Sequence, residues 1–256
     1  MNYLIIGGVA GGATVAARLR RMDEKANIIL FERGKYVSYA NCGLPYYIGD
    51  TINNREKLFV QTAKGFTDRF RIDIRTEQEV TAIRPDKKEV EIKNLSTGET
   101  YTETYDKLVL SPGAEPLRPG IEGIGSKKIF TLRNVPDTDT IKNYVNTENP
   151  KRAIVVGGGF IGLEMADLGI QVDVVEMANQ VMAPLDFSMA AIVHRQLTDK
   201  GVGLHLEDGV SRFEEKDGGV TVHLRSGKQI ATDMVLLSIG VRPETSLARA
   251  AELTIG

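Results

Sequence analysis

The residue best suited to chemistry in this chain is Cys42, the only cysteine among 256 residues. It lies in the segment Ser38-Tyr39-Ala40-Asn41-Cys42-Gly43-Leu44-Pro45. A single thiol cannot form an internal disulfide, but it can hold a sulfur from another molecule as a mixed disulfide. The alternative is a buried and inert thiol, which is common for a free cysteine. One cysteine also builds no disulfide framework, which favours a reducing, cytoplasmic location.

A Gly-rich turn precedes this cysteine and is followed by the elements that would position it. The apolar run at 3–6 ends in the glycines of 7–12, and a helical pattern rich in Ala, Arg and Leu continues to about Glu24. A second apolar run at 28–31 ends in Glu32, ten residues before the cysteine. The order strand, Gly turn, helix, strand and acid is typical of a dinucleotide-binding unit.

The same order returns in the second half of the chain. The apolar run at 153–156 ends in the Gly turn 157–162, and after a short helical stretch the run at 172–175 ends in Glu176. From the last glycine of the turn to the acid there are 20 residues in the first copy and 14 in the second. We therefore expect about one helical turn, or four to six residues, to be missing near Ala166.

Each residue type in these turns has a physical reason. Glycines let the backbone approach a pyrophosphate, and the helix N-terminus offers it free N–H groups and a positive dipole. The acid at the end of the second strand accepts hydrogen bonds from ribose hydroxyls, and without a ligand it would be a strand-end charge. Glu176 also favours NADH over NADPH, because a carboxylate repels a 2′-phosphate. The predicted cofactor-binding residues are Gly7, Gly8, Val9, Ala10, Gly11, Gly12, Glu32, Gly157, Gly159, Ile161, Gly162 and Glu176.

A second repeat supports a duplication. The segment 105–113 resembles 232–240, and each follows alternating strands joined by tight turns. The continuous apolar runs suit parallel sheets covered on both faces. We predict an α/β fold with two Rossmann-like dinucleotide-binding domains, each a parallel sheet with an inserted β-meander. Two nucleotides in one chain indicate a hydride donor and a flavin that accepts the hydride.

Composition excludes several other classes of protein. The formal net charge is −2 with both signs interspersed, which gives no reason to expect nucleic acid as a partner. No apolar run reaches the roughly 18 residues of a membrane span, so no membrane partner is expected.

These motifs resemble the pyridine nucleotide-disulfide oxidoreductase superfamily, and specifically its single-cysteine branch of coenzyme A-disulfide reductases and NADH-dependent persulfide reductases. The resemblance spans nearly the whole chain and includes 41–46 around Cys42, 111–113 and 239–244. It implies FAD on the first unit, NADH or NADPH on the second, and Cys42 as the catalytic residue that reduces coenzyme A disulfide or a persulfide. A helix opening at Cys42 beside the flavin would hold the sulfur as thiolate.

The resemblance also implies further site residues. Additional cofactor contacts are expected at Arg33, Asn41, Val80, Ser111, Pro112, Gly113, Phe160, Glu164 and Gly240, with a plain strand return as the alternative for Val80. Coenzyme A contacts are expected at Thr14, Arg18, Arg21, Ser38 and Asn41, where arginine suits phosphate. The alternative for the residues of the first helix is a solvated basic face.

Two other functions stay open. NADH oxidases and peroxidases of the same branch usually carry a histidine in the first Gly turn, at the position of Ala10 here. The other alternative is a non-catalytic nucleotide-binding redox sensor or remnant.

The predicted domains are 1–114 for FAD, 115–150 as a connection, 151–241 for NAD and 242–256 as a return toward the FAD domain. The resemblance implies a C-terminal dimerisation domain that is absent from these 256 residues, so the full-length form is expected to be a homodimer.

Overall fold

Two parallel sheets, each begun by an apolar strand that runs into a Gly-rich turn, organise the chain. The computed structural model describes residues 1–159 and 170–255, and these form two compact units. Unit 1 consists of Met1–Ala40, Glu56–Ala114 and the C-terminal segment from Pro243. Unit 2 consists of Asn41–Arg55 and Glu115–Arg242. The predicted α/β fold with two related units is confirmed.

Unit 1 is built around a four-stranded parallel sheet in the order β3-β2-β1-β7. The helices Gly11–Met22 and Ala63–Phe70 pack on one face of this sheet. An antiparallel meander β4-β5-β6 packs on the other face, together with the helix Ser246–Ala250. The elements are β1 (Asn2–Ile6), α1 (Gly11–Met22), β2 (Asn27–Glu32), α3 (Ala63–Phe70), β3 (Asp73–Thr76), β4 (Gln78–Arg84), β5 (Glu89–Asn94), β6 (Thr100–Thr104), β7 (Lys107–Leu110) and α6 (Ser246–Ala250).

Unit 2 repeats this plan with a five-stranded parallel sheet in the order β12-β11-β10-β16-β9. Its meander is β13-β14-β15. The elements are α2 (Gly43–Ile48), β9 (Ile129–Thr131), α4 (Val135–Glu148), β10 (Arg152–Val156), β11 (Gln171–Val175), α5 (Phe187–Asp199), β12 (Gly203–His205), β13 (Val210–Lys216), β14 (Gly219–Leu224), β15 (Gln229–Thr232) and β16 (Met234–Leu237).

Short 3₁₀ turns occupy Arg55–Leu58 and Pro85–Lys87. The strands β8 (Ala114–Pro116) and β17 (Val241–Pro243) pair where the chain passes from one unit to the other.

In each unit, the strand that leads into the Gly turn pairs over its whole length with the strand that ends in the acid. Asn2 of β1 is opposite Asn27 of β2, and Arg152 of β10 is opposite Gln171 of β11, five pairs in each case. The shorter second crossover therefore leaves the strand pairing unchanged. The residues expected to be missing near Ala166 lie outside the described part of the chain.

Small residues allow α1 to lie close to its sheet. Gly12, Ala13 and Ala16 form most of its buried face, and a Cβ on Gly12 would overlap the carbonyl oxygen of Gly7. In unit 2, α4 begins with a capping box in which Asn134 and Asp137 satisfy each other's backbone N–H groups. Small residues thus set how closely α1 approaches its sheet, and the capping box sets where α4 begins.

Candidate functional site

The first Gly-rich turn requires glycine for its backbone conformation and for its packing. Gly7 has φ +96°, and a Cβ there would overlap the Ser111 carbonyl oxygen. A Cβ on Gly8 would meet the side chains of Leu30 and Val37 at 2.8 Å. The turn therefore lies directly against the ends of its neighbouring strands.

The helix that follows begins without the usual capping groups. No side chain accepts a hydrogen bond at the N-cap Ala10, and the first turn of α1 contains no acidic residue. Ala10 and Gly11 are exposed at the tip of the turn, whereas Gly12 is buried. An exposed helix N-terminus with no carboxylate of its own suits an anion such as pyrophosphate.

The carboxylate of Glu32 binds the backbone of the turn. Its Oε2 accepts from the Gly8 N–H at 2.8 Å, and its Oε1 accepts from the Gly34 N–H at 2.7 Å. Each carboxylate oxygen has a second lone pair, so both can still accept a hydroxyl proton. Glu32 is thus held beside the turn with acceptor capacity left for a ribose.

The second Gly-rich turn reproduces this arrangement. Gly157 has φ +106°, and a Cβ there would overlap the Ser238 carbonyl oxygen. The carboxylate of Glu176 accepts from the Gly158 N–H at 2.7 Å and from the Ala178 N–H at 2.8 Å. Among the residues that the structure describes, none lies within 4 Å of a Cβ placed on Gly159. The predicted residues Phe160, Ile161, Gly162 and Glu164 lie outside the described part of the chain.

Cys42 is the N-cap residue of α2 and its thiol is exposed. The next three residues, Gly43, Leu44 and Pro45, are all buried. The Leu44 N–H donates to the Asn41 carbonyl oxygen at 3.3 Å, which fixes the turn that contains the cysteine. The alternative of a buried thiol is therefore wrong, because Cys42 is exposed and the three residues that follow it are packed. Its reactivity stays a prediction.

The structure divides the predicted site residues between the units. Cys42 and Asn41 belong to unit 2, together with Glu176, Gly157, Gly159 and Gly240. The other described site residues belong to unit 1: Gly7, Gly8, Val9, Ala10, Gly11, Gly12, Thr14, Arg18, Arg21, Glu32, Arg33, Ser38, Val80, Ser111, Pro112 and Gly113. Their roles toward cofactor and substrate stay predictions.

Several of these residues have notable local structure. Ser38 has φ +48°, and its N–H donates to the Gly8 carbonyl oxygen at 2.9 Å, which brings it beside the first Gly turn. Arg18 and Arg21 are exposed on α1, and the Thr14 hydroxyl donates to the Ala10 carbonyl oxygen at 2.8 Å. Val80 is buried in the core on the meander face of the sheet.

Sequence reasoning missed the residues that hold the stretch Asn41–Arg55, which is called the cysteine segment below. Lys142 of α4 donates to the Ile48 carbonyl oxygen and pairs with Asp50, and Arg55 forms a two-bond ion pair with Asp139. These partners are about 90 residues apart in sequence, and no short motif joins them.

Other classes of site find no support in the described residues. Within 1–159 and 170–255, no three His, Cys, Asp or Glu side chains are grouped so that they could hold a metal ion. In the same part of the chain, no helix has both the length and the apolar character to cross a bilayer.

Comparison with known proteins identifies the family of the chain. Residues 1–256 match the family described as pyridine nucleotide-disulphide oxidoreductase. Coenzyme A disulfide reductase of Staphylococcus aureus (strain JH9) is 32% identical over 258 residues, which are 99% of this chain and 57% of that relative. The chain thus spans little more than half the length of this curated relative.

Two solved structures are similar over the whole chain. Reduced CoADR-RHD of Bacillus anthracis is 54% identical with a TM-score of 0.96, and the match covers 46% of that protein. The NAD-dependent persulfide reductase of A. fulgidus is 36% identical with a TM-score of 0.94, and the match covers 48% of it. The resemblance inferred from the motifs is confirmed, and the chain belongs to the pyridine nucleotide-disulphide oxidoreductase family.

Proposed function

We propose that this chain forms the nucleotide-binding part of an FAD-dependent enzyme that uses NADH, or NADPH, to reduce coenzyme A disulfide or a persulfide at Cys42. The observation that carries the proposal is a single exposed cysteine followed by three buried residues, in a chain with two Gly turns of the kind that binds dinucleotides. The named relatives, a coenzyme A disulfide reductase and a persulfide reductase, support the same substrate classes.

The residues of unit 1 fit FAD. The uncapped N-terminus of α1 would bind the pyrophosphate, and Glu32 would accept from the ribose of the adenosine. Ser111, Pro112 and Gly113 follow β7 at the same carboxyl end of the sheet, where ligands bind in folds of this type. A bound FAD would supply the conversion of a hydride into the two electrons that a disulfide needs.

The residues of unit 2 fit NADH. No described residue lies within 4 Å of a Cβ placed on Gly159, and Glu176 would accept from the adenosine ribose. The next residues are Met177 and Ala178, so no arginine follows that could bind a 2′-phosphate. A carboxylate in this position would repel that phosphate, which favours NADH over NADPH.

Cys42 would carry the exchange of sulfur. Its thiolate attacks one sulfur of the substrate, a bond forms between that sulfur and Cys42 Sγ, and the substrate S–S bond breaks. The other half of the substrate leaves as a thiolate. Two electrons and a proton then release the second thiol and restore Cys42. Exposed Arg18 and Arg21 would bind the phosphates of coenzyme A.

The deciding experiment compares the chain with its Cys42→Ser variant. Purified protein is supplied with FAD and NADH and offered three acceptors in turn: coenzyme A disulfide, hydrogen peroxide and oxygen. We expect coenzyme A disulfide to be the best acceptor and Cys42→Ser to abolish its reduction, while slow reduction of a dye by NADH continues. Full disulfide reduction by the Ser variant would refute the role of Cys42.

The same assay separates the alternatives. An oxidase or peroxidase would transfer electrons mainly to oxygen or peroxide, and Ala10, in place of the histidine usual there, argues against that outcome. A non-catalytic redox sensor would bind nucleotide without turnover of any acceptor. We also propose, for the full-length form, a homodimer in the cytoplasm.

A further inference from the structure

We propose that α4 positions Cys42, through Lys142 and Asp139, and that these two residues set where the sulfur lies during the reaction. The inference rests on the proposed function, in which Cys42 is the reacting group. Asp139 and Lys142 are positioning residues, because they act through α2 and Arg55 and do not contact the sulfur.

The cysteine segment is an addition to the duplicated plan. Phe31 and Val175 each directly precede the acid of a Gly-turn unit, and they pair with Arg75 and His205 on the next strand. From Phe31 to Arg75 there are 44 positions, and from Val175 to His205 there are 30. The difference of 14 is close to the length of Asn41–Arg55, the stretch of that loop that groups with unit 2.

Lys142 holds the C-terminal end of α2. Its Nζ donates to the carbonyl oxygen of Ile48, the last residue of α2, at 3.0 Å and lies 2.6 Å from Asp50 Oδ1. Only 11% of its side chain is exposed, and Nζ lies 5.8 Å from the ring centre of Tyr47. A cation in this place interacts favourably with the last carbonyls of a helix and with its dipole.

The far end of the segment is held by an ion pair. Arg55 Nε lies 2.8 Å from Asp139 Oδ1, and Nη2 lies 2.7 Å from Oδ2, so the pair has two parallel bonds. Asp139 and Lys142 are three residues apart and therefore project from neighbouring positions on α4. Between them in the chain, Ile141 packs in the same core cluster as Ile48 of α2.

These contacts matter because α2 is too short to fix its own geometry. A helix of six residues is marginal in water, so its conformation depends on what packs against it. Cys42 directly precedes this helix, and its position follows that of the helix. Loosening the end held by Lys142 would therefore displace the sulfur without changing any residue next to it.

The test uses the full chain and three readouts of the variant Lys142→Met. A nitroxide attached to Cys42, the only thiol, reports the mobility of that site. Hydrogen exchange reports the opening of 43–50, and turnover of coenzyme A disulfide reports the reaction. Loss of a hydrogen bond from a charged donor changes an opening equilibrium about tenfold or more. We expect exchange in 43–50 to be about tenfold faster, the nitroxide to be more mobile, and kcat to fall while KM for NADH is unchanged.

Matched variants separate positioning from a general loss of stability. Glu148→Gln changes an exposed acid on the same helix and should alter no readout, and Lys142→Arg should restore most of the turnover. Asp139→Asn keeps a hydrogen bond to Arg55 and should give a smaller change of the same kind. If Lys142→Met lowers the thermal midpoint but leaves the nitroxide mobility and the exchange of 43–50 as in the parent, the inference is wrong.

The outcome also separates this inference from the proposed function. If Cys42→Ser retains disulfide reduction, the function fails, yet the nitroxide and exchange results still decide whether α4 holds the segment. If Lys142→Met affects neither mobility nor exchange, the positioning role fails even when Cys42 proves to be the redox group.

Discussion

The turn that begins at Gly7 and the one that begins at Gly157 differ in sequence but use the same backbone contacts. In each, the first glycine has a positive φ and lies against a serine carbonyl, Ser111 or Ser238. In each, a glutamate accepts from the N–H of the second glycine and from an N–H two residues beyond the glutamate. Ser38 and Met182 occupy the same place after the acid, with φ +48° and +54°, and donate to the carbonyl of the second glycine.

The units differ in the path of the chain beyond Ser38 and Met182. In unit 2 the chain continues from Met182 into α5 and then β12. In unit 1 it leaves after Ala40 for the cysteine segment and only then forms α3 and β3. Both Gly turns therefore share one set of backbone contacts, whereas the chain path that contains Cys42 has no counterpart between Met182 and β12.

The largest expected effect concerns a residue of unit 1 alone, Arg20. Only 9% of this residue is exposed, and its side chain donates to five backbone carbonyls, among them those of Ala26, Phe70 and Arg71. Arg20→Met leaves those carbonyls without their donor, so we expect the free energy of unfolding to fall by about 4 kcal/mol. Urea denaturation measures this loss.

Hydrogen exchange locates the same change within the molecule. Faster exchange should be confined to unit 1, and Arg21→Met, an exposed arginine on the same helix, should change stability little. Equal loss of protection in both units would show that the units do not unfold independently.

A second prediction tests whether the two turns are equivalent. Gly7→Ala and Gly157→Ala each force a side chain into the left-handed region and onto a carbonyl oxygen. Both should lose about 3 kcal/mol of stability, from the conformational cost and the overlap together. Gly98 has φ +80° and no described residue within 4 Å of an added Cβ, so Gly98→Ala is the matched control and should lose only about 1 kcal/mol. A large loss at one turn only would mean that the units are not equivalent.

A third prediction separates the units by ligand. Glu32→Gln and Glu176→Gln each replace an oxygen that accepts a backbone N–H by an NH₂ group that cannot. Each should lose about 1–2 kcal/mol of stability. Glu32→Gln should weaken FAD binding and leave NADH binding intact, and Glu176→Gln should do the reverse. Fluorescence titration of each nucleotide measures both, and weakening of the same nucleotide by both variants would contradict the assignment.

The smallest effect concerns the aspartate that directly precedes one strand in each parallel sheet, β7 in unit 1 and β16 in unit 2. Asp233 accepts from the N–H groups of Lys151 and Arg152, whereas Asp106 accepts from that of Asn2. Partial burial opposes the charge of Asp233, but these hydrogen bonds and the positive charges of Arg152 and Lys128 together outweigh it. They lower the pKa of the carboxylate below its ordinary 3.8. A lowered folded-state pKa contributes stability above the unfolded pKa and loses it as pH falls through the folded value.

Asp233→Asn should therefore lower stability by about 1 kcal/mol at pH 7. The difference from the parent protein should shrink as the pH falls below the ordinary carboxyl pKa of about 4. Denaturation at several pH values measures this, with Asp106→Asn expected to show a smaller difference. A difference that grows toward acid pH would reverse the sign and contradict the stated cause.

Local signals in the sequence were enough to predict the two Gly-turn units. Apolar runs, glycines and strand-end acids are local signals, and each is enforced by a local cause: a positive φ, a close approach of backbone, or a helix N-terminus. For this reason the strands, the meanders, the Gly turns and the equivalence of Glu32 and Glu176 could be read from residue types and spacing. Cys42 stood out for the same reason, as a lone thiol in a Gly- and Pro-containing segment.

The way in which that cysteine is held depends instead on long-range contacts. The contacts of Lys142 with Ile48 and of Asp139 with Arg55 join residues more than 80 positions apart, and no periodicity or motif relates them. The same holds for Arg20. The sequence suggested a solvated basic face for its neighbours on α1, but Arg20 is buried because its side chain binds the carbonyl oxygens of Phe70 and Arg71 at the end of α3. Such contacts depend on how complete elements pack, because burial and long-range pairing are set by the whole fold and not by neighbouring residues.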